Sequence, residues 1–443
     1  MKRLVALLLA LAMIIAMSAC GNDNAGTQSA GASSGQSTTA APDAGKAGGK
    51  TIELWQDNID KITVGIMNDA AAQYEKDTGV KVNFVFTEAA PYKTKLKTAM
   101  GSGQAPDIFL SWGGGWLRQF INEDQVYEVT DSVKDWKDGI VSAAWNDATY
   151  DGKIYGMPYN LNGTALYYNK AMFDRLGLTA PKTWEDLEKV AATLKENKII
   201  PFALGNINKW PGCMYFIYLS MRFGGPELFT NAEQNIGAAF QDESYIKAGQ
   251  MIQKMVDDGW FPQGMNGINY DTGGDRMLFY TEKAGMMLQN TNFAPKAQAE
   301  AIDFYDSKLA ISTFPTIDSG KGNDGVLCGS NYYSVSNNCK NKDEAVAFIK
   351  YYLTDPDIVN RRANEGGNMV TLSSVKYEKE KTQLSMDQLI KASFMQNSYD
   401  QALDTQLGEL HKDTTQALFG KTMTPEEAAK QMQAKADEII PKK

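Results

Sequence analysis

The sequence predicts an α/β fold with more than one lobe, on three observations. Segments with strand alternation take turns with segments of helical periodicity along almost the whole chain. The chain has 443 residues, enough for two or three domains. An extended aromatic stretch, Ile154 to Lys170 (IYGMPYNLNGTALYYNK), suits a crossing from one lobe to another.

The elements follow in order. Thr51 to Gln56 (TIELWQ) carries strand formers, Lys61 to Lys76 repeats with helical period, Gly79 supplies a stop, and Val80 to Phe86 alternates as a strand. Pro91 to Met100 continues as a helix broken by glycine at 101 and 103, and Asp107 to Leu110 reads as a short buried strand. Three strands with two helices between them indicate a parallel sheet flanked by helices, whose ligands bind beyond the carboxyl ends of the strands. Those ends are Asp57 to Asp60 and the segment Trp112 to Trp116 (WGGGW), expected to be an open loop. Thr183, with Pro181 upstream and Asp186 at the capping-box position, opens a later helix. Alternation continues through Ile199 to Leu204, Tyr215 to Met221, Ile246 to Val256, Ala284 to Gln289, Tyr332 to Ser336 and Glu344 to Leu353. Thr424, Pro425 and Glu427 start a last helix that should run to about Ile440.

Ahead of this body, Lys2 and Arg3 precede an apolar run from Leu4 to Met17 that is short for a membrane span, followed by Ser18, Ala19 and Cys20. Residues 1–19 read as a signal peptide, and Cys20 as a lipidation site in an arrangement that resembles the bacterial lipobox. Residues 21–50 hold no aromatic residue and no Leu, Ile, Val or Met. They read as a flexible tether of root-mean-square span about 30 Å, so residues 20–50 form a lipidated cysteine and its leash. The expected location is the outer face of the cell membrane, held by acyl chains only.

Composition removes several functions. The net charge is −9, and −11 once the two leader cations are cleaved, which disfavours nucleic acid and anionic membrane surfaces. With a single histidine, His411, a Ser-His-Asp triad or a His-rich metal site is not expected. The four cysteines have no CxxC spacing, no Walker loop or GxGxxG occurs, and neither a metal nor a cofactor is expected. DATYDG at 147 to 152 lacks the glutamate that a calcium loop needs at its twelfth position. Cys328 and Cys339 could pair across a short loop, a point that spacing alone leaves open.

The segment ALYYNKAMFDRLGLTAPKTWEDL resembles the hallmark region of bacterial extracellular solute-binding proteins of the sugar-binding class, which deliver ligand to ABC importers. GQAPDIFLSW at 103 to 112, TEKAGMMLQNTNF at 281 to 293, YYSVSNNCKNKDEAVAFIKYYLTD at 332 to 355 and the terminal TPEEAAKQMQAKADEI extend the resemblance over residues 51 to 443 in family order. One departure is Thr291, Asn292 and Phe293 where the family commonly has Gly-x-Trp. The resemblance implies a periplasmic-binding-protein-like fold of two lobes, each a mainly parallel sheet flanked by helices, with the ligand cleft between them. On that reading, residues 51–160 and 306–352 form one lobe, and 161–305 and 353–443 the other. The implied function is non-enzymatic capture of a carbohydrate, an oligosaccharide, by a monomer that hands it to permease subunits. A secreted two-carboxylate carbohydrate enzyme, and a receptor for a peptide or polyamine, are the alternatives.

A sugar site needs flat aromatic faces beside amides and carboxylates. Trp112, Gly114 and Trp116 beyond a strand end and Trp210 in a loop are the expected platform. Gln56, Asp57 and Asn58 cluster at the end of the first strand, and Asn160 and Asn162 lie in the crossing. Asn292, Phe293, Asn331 and Asn368 complete the expected ligand set, Asn331 and Asn368 from segments that resemble cleft regions of the family.

Overall fold

A computed structural model describes residues 49–57, 61–87 and 89–442. The leader, Cys20, residues 21–48 of the tether and Asn58 lie outside the described residues. The first lobe opens with β1 (Thr51–Gln56), α1 (Lys61–Thr78), β2 (Lys81–Phe86), α2 (Ala89–Gly101) and β3 (Ile108–Ser111). β1 pairs in parallel with both β2 and β3, as the alternation predicts. Gly79 takes φ +75 at the end of α1, the left-handed turn that glycine adopts without a Cβ penalty. The WGGGW segment differs from expectation, because α3 (Gly114–Asn122) begins inside it.

A small hairpin, β4 (Thr149–Tyr150) and β5 (Lys153–Ile154), leads into β6 (Met157–Asn169). Next come α4 (Lys170–Arg175), α5 (Trp184–Glu196), β7 (Ile200–Phe202), α6 (Trp210–Gly224) and α7 (Glu227–Glu233), and then β8 (Ala284–Asn290), β9 (Leu309–Ser312), β10 (Gly325–Val335) and β11 (Phe394–Gln396). The capping boxes read from sequence form at Thr183–Asp186 and at Thr424–Glu427, and the last helix spans Pro425–Ile439. Each box satisfies two otherwise orphaned backbone N–H groups.

Nine strands form one sheet, whose main path is β2-β1-β3-β10-β6-β8-β7, with β11 on β10 and β9 on β6. The two long strands serve both halves of the molecule. β6 pairs through Met157–Gly163 with β10 and through Thr164–Asn169 with β8 and β9, so the crossing near Asn160 to Gly163 is a shared strand. A mainly parallel sheet was expected in each lobe. Beyond β3 it gives way to antiparallel pairs of β10 with β3 and of β6 with β10, β8 and β9, while β7 and β8 are parallel.

Two main apolar cores lie on either side of this crossing. One holds Ile52, Leu54, Phe109 and Leu110 with Tyr333, Phe348, Ile358, Val370 and Leu389. The other holds Leu166, Leu204, Tyr215, Met286 and Phe314 with Tyr399, Leu407 and Met432. Residues 358 to 389 therefore pack with β1 and β3, whereas the sequence reading put them in the second lobe. Phe314 and Ile317, expected in the first, pack in the second. The division follows long-range packing, which chain order does not display. Cys213, Cys328 and Cys339 are each buried and free, so Cys328 and Cys339 do not pair. Among the described residues, no helix is long and apolar enough to cross a membrane, and no cluster of His, Cys, Asp and Glu is placed to hold a metal ion.

Candidate functional site

β1 and β3 end side by side, and the polar groups there are unusual. The Gln56 side chain is 1% exposed, and its Oε1 has no hydrogen-bond partner among the described residues. Burial pushes the Asp57 carboxyl up to about 6 against the pull of Lys93. Lys93, on α2, places its ammonium 4.5 Å from the centre of the Trp112 ring, a cation–π contact. Burial lowers the Lys93 pKa, opposed by Asp400 and Glu409, with Lys412 adding to the lowering. Asp400, Glu409 and Lys412 belong to segments built on the second core, so Lys93 marks the place where the two lobes face each other.

Trp112 and Trp116 meet edge to face with centroids 4.9 Å apart, and both are 6% exposed. Their surroundings differ. Trp112 lies between Tyr92 at 5.7 Å and the Lys93 ammonium, whereas Trp116 turns onto Phe120 at 5.0 Å within the first core. Both rings belong to the first core, and the contact with Phe120 favours a packing role for Trp116. The glycines between them also have another use. A Cβ on Gly114 would stand 2.5 Å from Ala402 Cα, and one on Gly115 would stand 2.2 Å from Leu403 O. Gly114 therefore lets the second lobe's backbone approach, and Ala402 covers it where an open ligand loop was expected.

The crossing strands carry further amides. Asn160 on β6 pairs with Asn331 on β10, and Asn162 pairs with Gly329. Asn160 Oδ1 and Asn162 Oδ1 are buried without partners among the described residues, and so are Asn290 Oδ1 and Thr291 Oγ1 at the end of β8. Native proteins satisfy most such groups, and a ligand that supplies hydroxyl donors would satisfy these. Trp210 is half-buried at the first position of α6, not in a loop, and stands edge-on to Tyr270 at 4.7 Å.

Phe293 and Asn368 have packing and turn-holding uses, and Asn292 lies at the surface. Phe293 is fully buried, edge-on to Tyr167 at 4.8 Å, so it fills a third small core where a ligand wall was expected. Asn292 is exposed at the start of the helix Phe293–Glu300. Asn368 gives its amide to the Arg362 carbonyl at 3.3 Å and holds the turn after helix Pro356–Asn364.

Sequence reasoning missed Lys93, one lysine among several in PYKTKLK, and it missed Asp147. Asp147 is held at about 6 by burial, with Glu233 pushing it the same way, and Asn397 donates its amide to Asp147 Oδ2 at 2.8 Å. Its partner lies 250 residues along the chain, a pairing no local pattern carries.

Two cores joined by shared strands, with a polar junction at the strand ends, define a two-lobe binding protein by class. The model of the bacterial extracellular solute-binding protein family matches residues 60–357, and the chain belongs to that family. It is 25% identical over 365 residues to the multiple sugar-binding protein of Streptococcus mutans, covering 78% of this chain and 82% of that one. It is 26% identical over 306 residues to the maltooligosaccharide ABC transporter solute-binding lipoprotein of Streptococcus pneumoniae, covering 66% of each. A structure solved in work on xylan utilization by Caldanaerobius polysaccharolyticus superposes with TM-score 0.78 and 29% identity, covering 87% of this chain and 99% of that one.

Proposed function

We propose that this protein captures a carbohydrate, an oligosaccharide, outside the cell and passes it unaltered to the permease of an ABC importer. The observation that carries this reading is the set of partnerless amide and hydroxyl oxygens on Gln56, Asn160, Asn162, Asn290 and Thr291 at the strand ends and crossing. Acceptors of this kind suit sugar hydroxyls, and the Trp112 ring beside Lys93 suits the C–H face of a pyranose. The names of the relatives, multiple sugar-binding protein and maltooligosaccharide solute-binding lipoprotein, point the same way. They are named as binding proteins, in keeping with a chain that does no chemistry on its cargo.

The site we propose comprises Gln56, Asp57, Asn58, Lys93 and Trp112 from the first lobe, Asn160, Asn162 and Asn331 from the crossing, and Trp210 with Thr291 from the second. The lobes we propose are the two cores, with residues up to about 161 and from 326 to 389 in the first. Cys20 is the proposed lipid anchor, and the protein works as a monomer at the end of its tether. Calorimetric titration with maltotetraose, xylotetraose and chitotetraose tests the reading. Saturable binding of at least one supports it, and binding of a peptide or polyamine in their place would overturn it.

A further inference from the structure

The lobes meet a second time, away from Lys93. α3 and the β4–β5 hairpin on the first core and the end of α7 on the second border a solvent-open cavity of about 640 Å³, within the roughly 300–1,000 Å³ of small-molecule sites. Tyr150 and Tyr155 line it with rings 6.2 Å apart and inclined at 55°. Asn122 and Gln234 add amides. Its lining carries both signs of charge, Arg118 and Lys153 with Asp151 and Glu233, and Lys153 also pairs with Glu128 at 3.3 Å.

These groups are only loosely matched to one another. Arg118 stays 3.8 Å from Glu233 and lies 5.1 Å over the Tyr150 ring, so its guanidinium is shared between two partners. Burial raises the Glu233 carboxyl, with Arg118 opposing. The Tyr150 hydroxyl donates toward Gly114 O at 2.6 Å and Asp147 O at 2.7 Å, which fixes that ring in place. A cavity lined by both signs of charge has no single-sign patch to draw a phosphate or a polyamine. Aromatic faces flanked by amides and carboxylates match a neutral polyhydroxylated chain.

We propose that this cavity is a second carbohydrate site, taking a neutral oligosaccharide independently of the cleft at Trp112. The proposal rests on the reading of the ligand as a saccharide. Full-length mature protein is titrated calorimetrically with maltotetraose, xylotetraose and chitotetraose. The sugar that binds should show two equivalents, the weaker lost or weakened at least tenfold in Tyr155→Ala and in Gln234→Ala, with the stronger unchanged. Trp112→Ala should do the reverse. Gln234→Ala, at the surface end of α7, keeps the test valid if Tyr155→Ala fails to fold. A single equivalent in the wild type, or two that survive both cavity variants, overturns the second site alone. Binding of none of the three sugars removes the saccharide reading and this inference with it.

Discussion

Asp147 is a carboxylate that the fold keeps out of water with one amide donor for company. A carboxyl raised from 3.8 to about 6 costs the folded state free energy when ionised, on the order of 3 kcal/mol at pH 7. The sign follows from the direction of the shift. The cost is fully present above about pH 6, shrinks as pH falls through the folded pKa and vanishes below the ordinary carboxylate range. Asp57 has the same direction and value, so it adds to the same window. Carboxyls held low by hydrogen bonds, such as Asp186, act below that window. Thermal melts should therefore show a more stable protein at pH 5 than at pH 7.5, and Asp147→Asn should raise the pH 7.5 value and flatten the difference. An unchanged profile in that variant would refute the assignment. The two tryptophans provide a second residue-scale test. Trp112→Ala should weaken oligosaccharide binding by about 2 kcal/mol, near thirtyfold, while Trp116→Ala should lower the melting temperature and leave affinity almost unchanged. Equal losses of affinity in both variants would contradict their separation. From sequence the pair looked equivalent, because both flank the same glycines. The Lys93 contact of Trp112 and the turn of Trp116 onto Phe120 separate them.

At the scale of elements, local signals survived and non-local ones did not. The boxes at Thr183 and Thr424 were readable because cap and partner are three residues apart. The start of α3 was not, since three consecutive glycines argue against a helix unless another backbone needs the room. That need comes from Ala402 and Leu403, almost 290 positions later. The packing of residues 358 to 389 with β1 and β3 was hidden for the same reason. Gly115→Ala puts a methyl 2.2 Å from Leu403 O, so it should hold α3 away from the helix Tyr399–Ala402. Small-angle scattering of that variant should give a larger radius of gyration than wild type at saturating sugar, with weaker binding. A radius identical to wild type would show that the two backbones do not meet in solution.

At the scale of the whole molecule, the shared strands β6 and β10 would let two packed cores rotate while each half-sheet keeps its own pairing. The tether and Cys20 would keep that motion near a membrane. Cys20→Ala should release the protein into the medium in cell fractionation, and undiminished membrane retention with an unmodified N-terminus would refute the anchor. Enclosure without chemistry is the centre of the account, and native mass spectrometry of the mature protein with the oligosaccharide panel tests it most directly. The account predicts an adduct whose mass is that of an intact oligosaccharide, diminished in Trp112→Ala, with the free sugar unshortened after prolonged incubation. No adduct with any sugar, or the appearance of cleaved sugars, would contradict it.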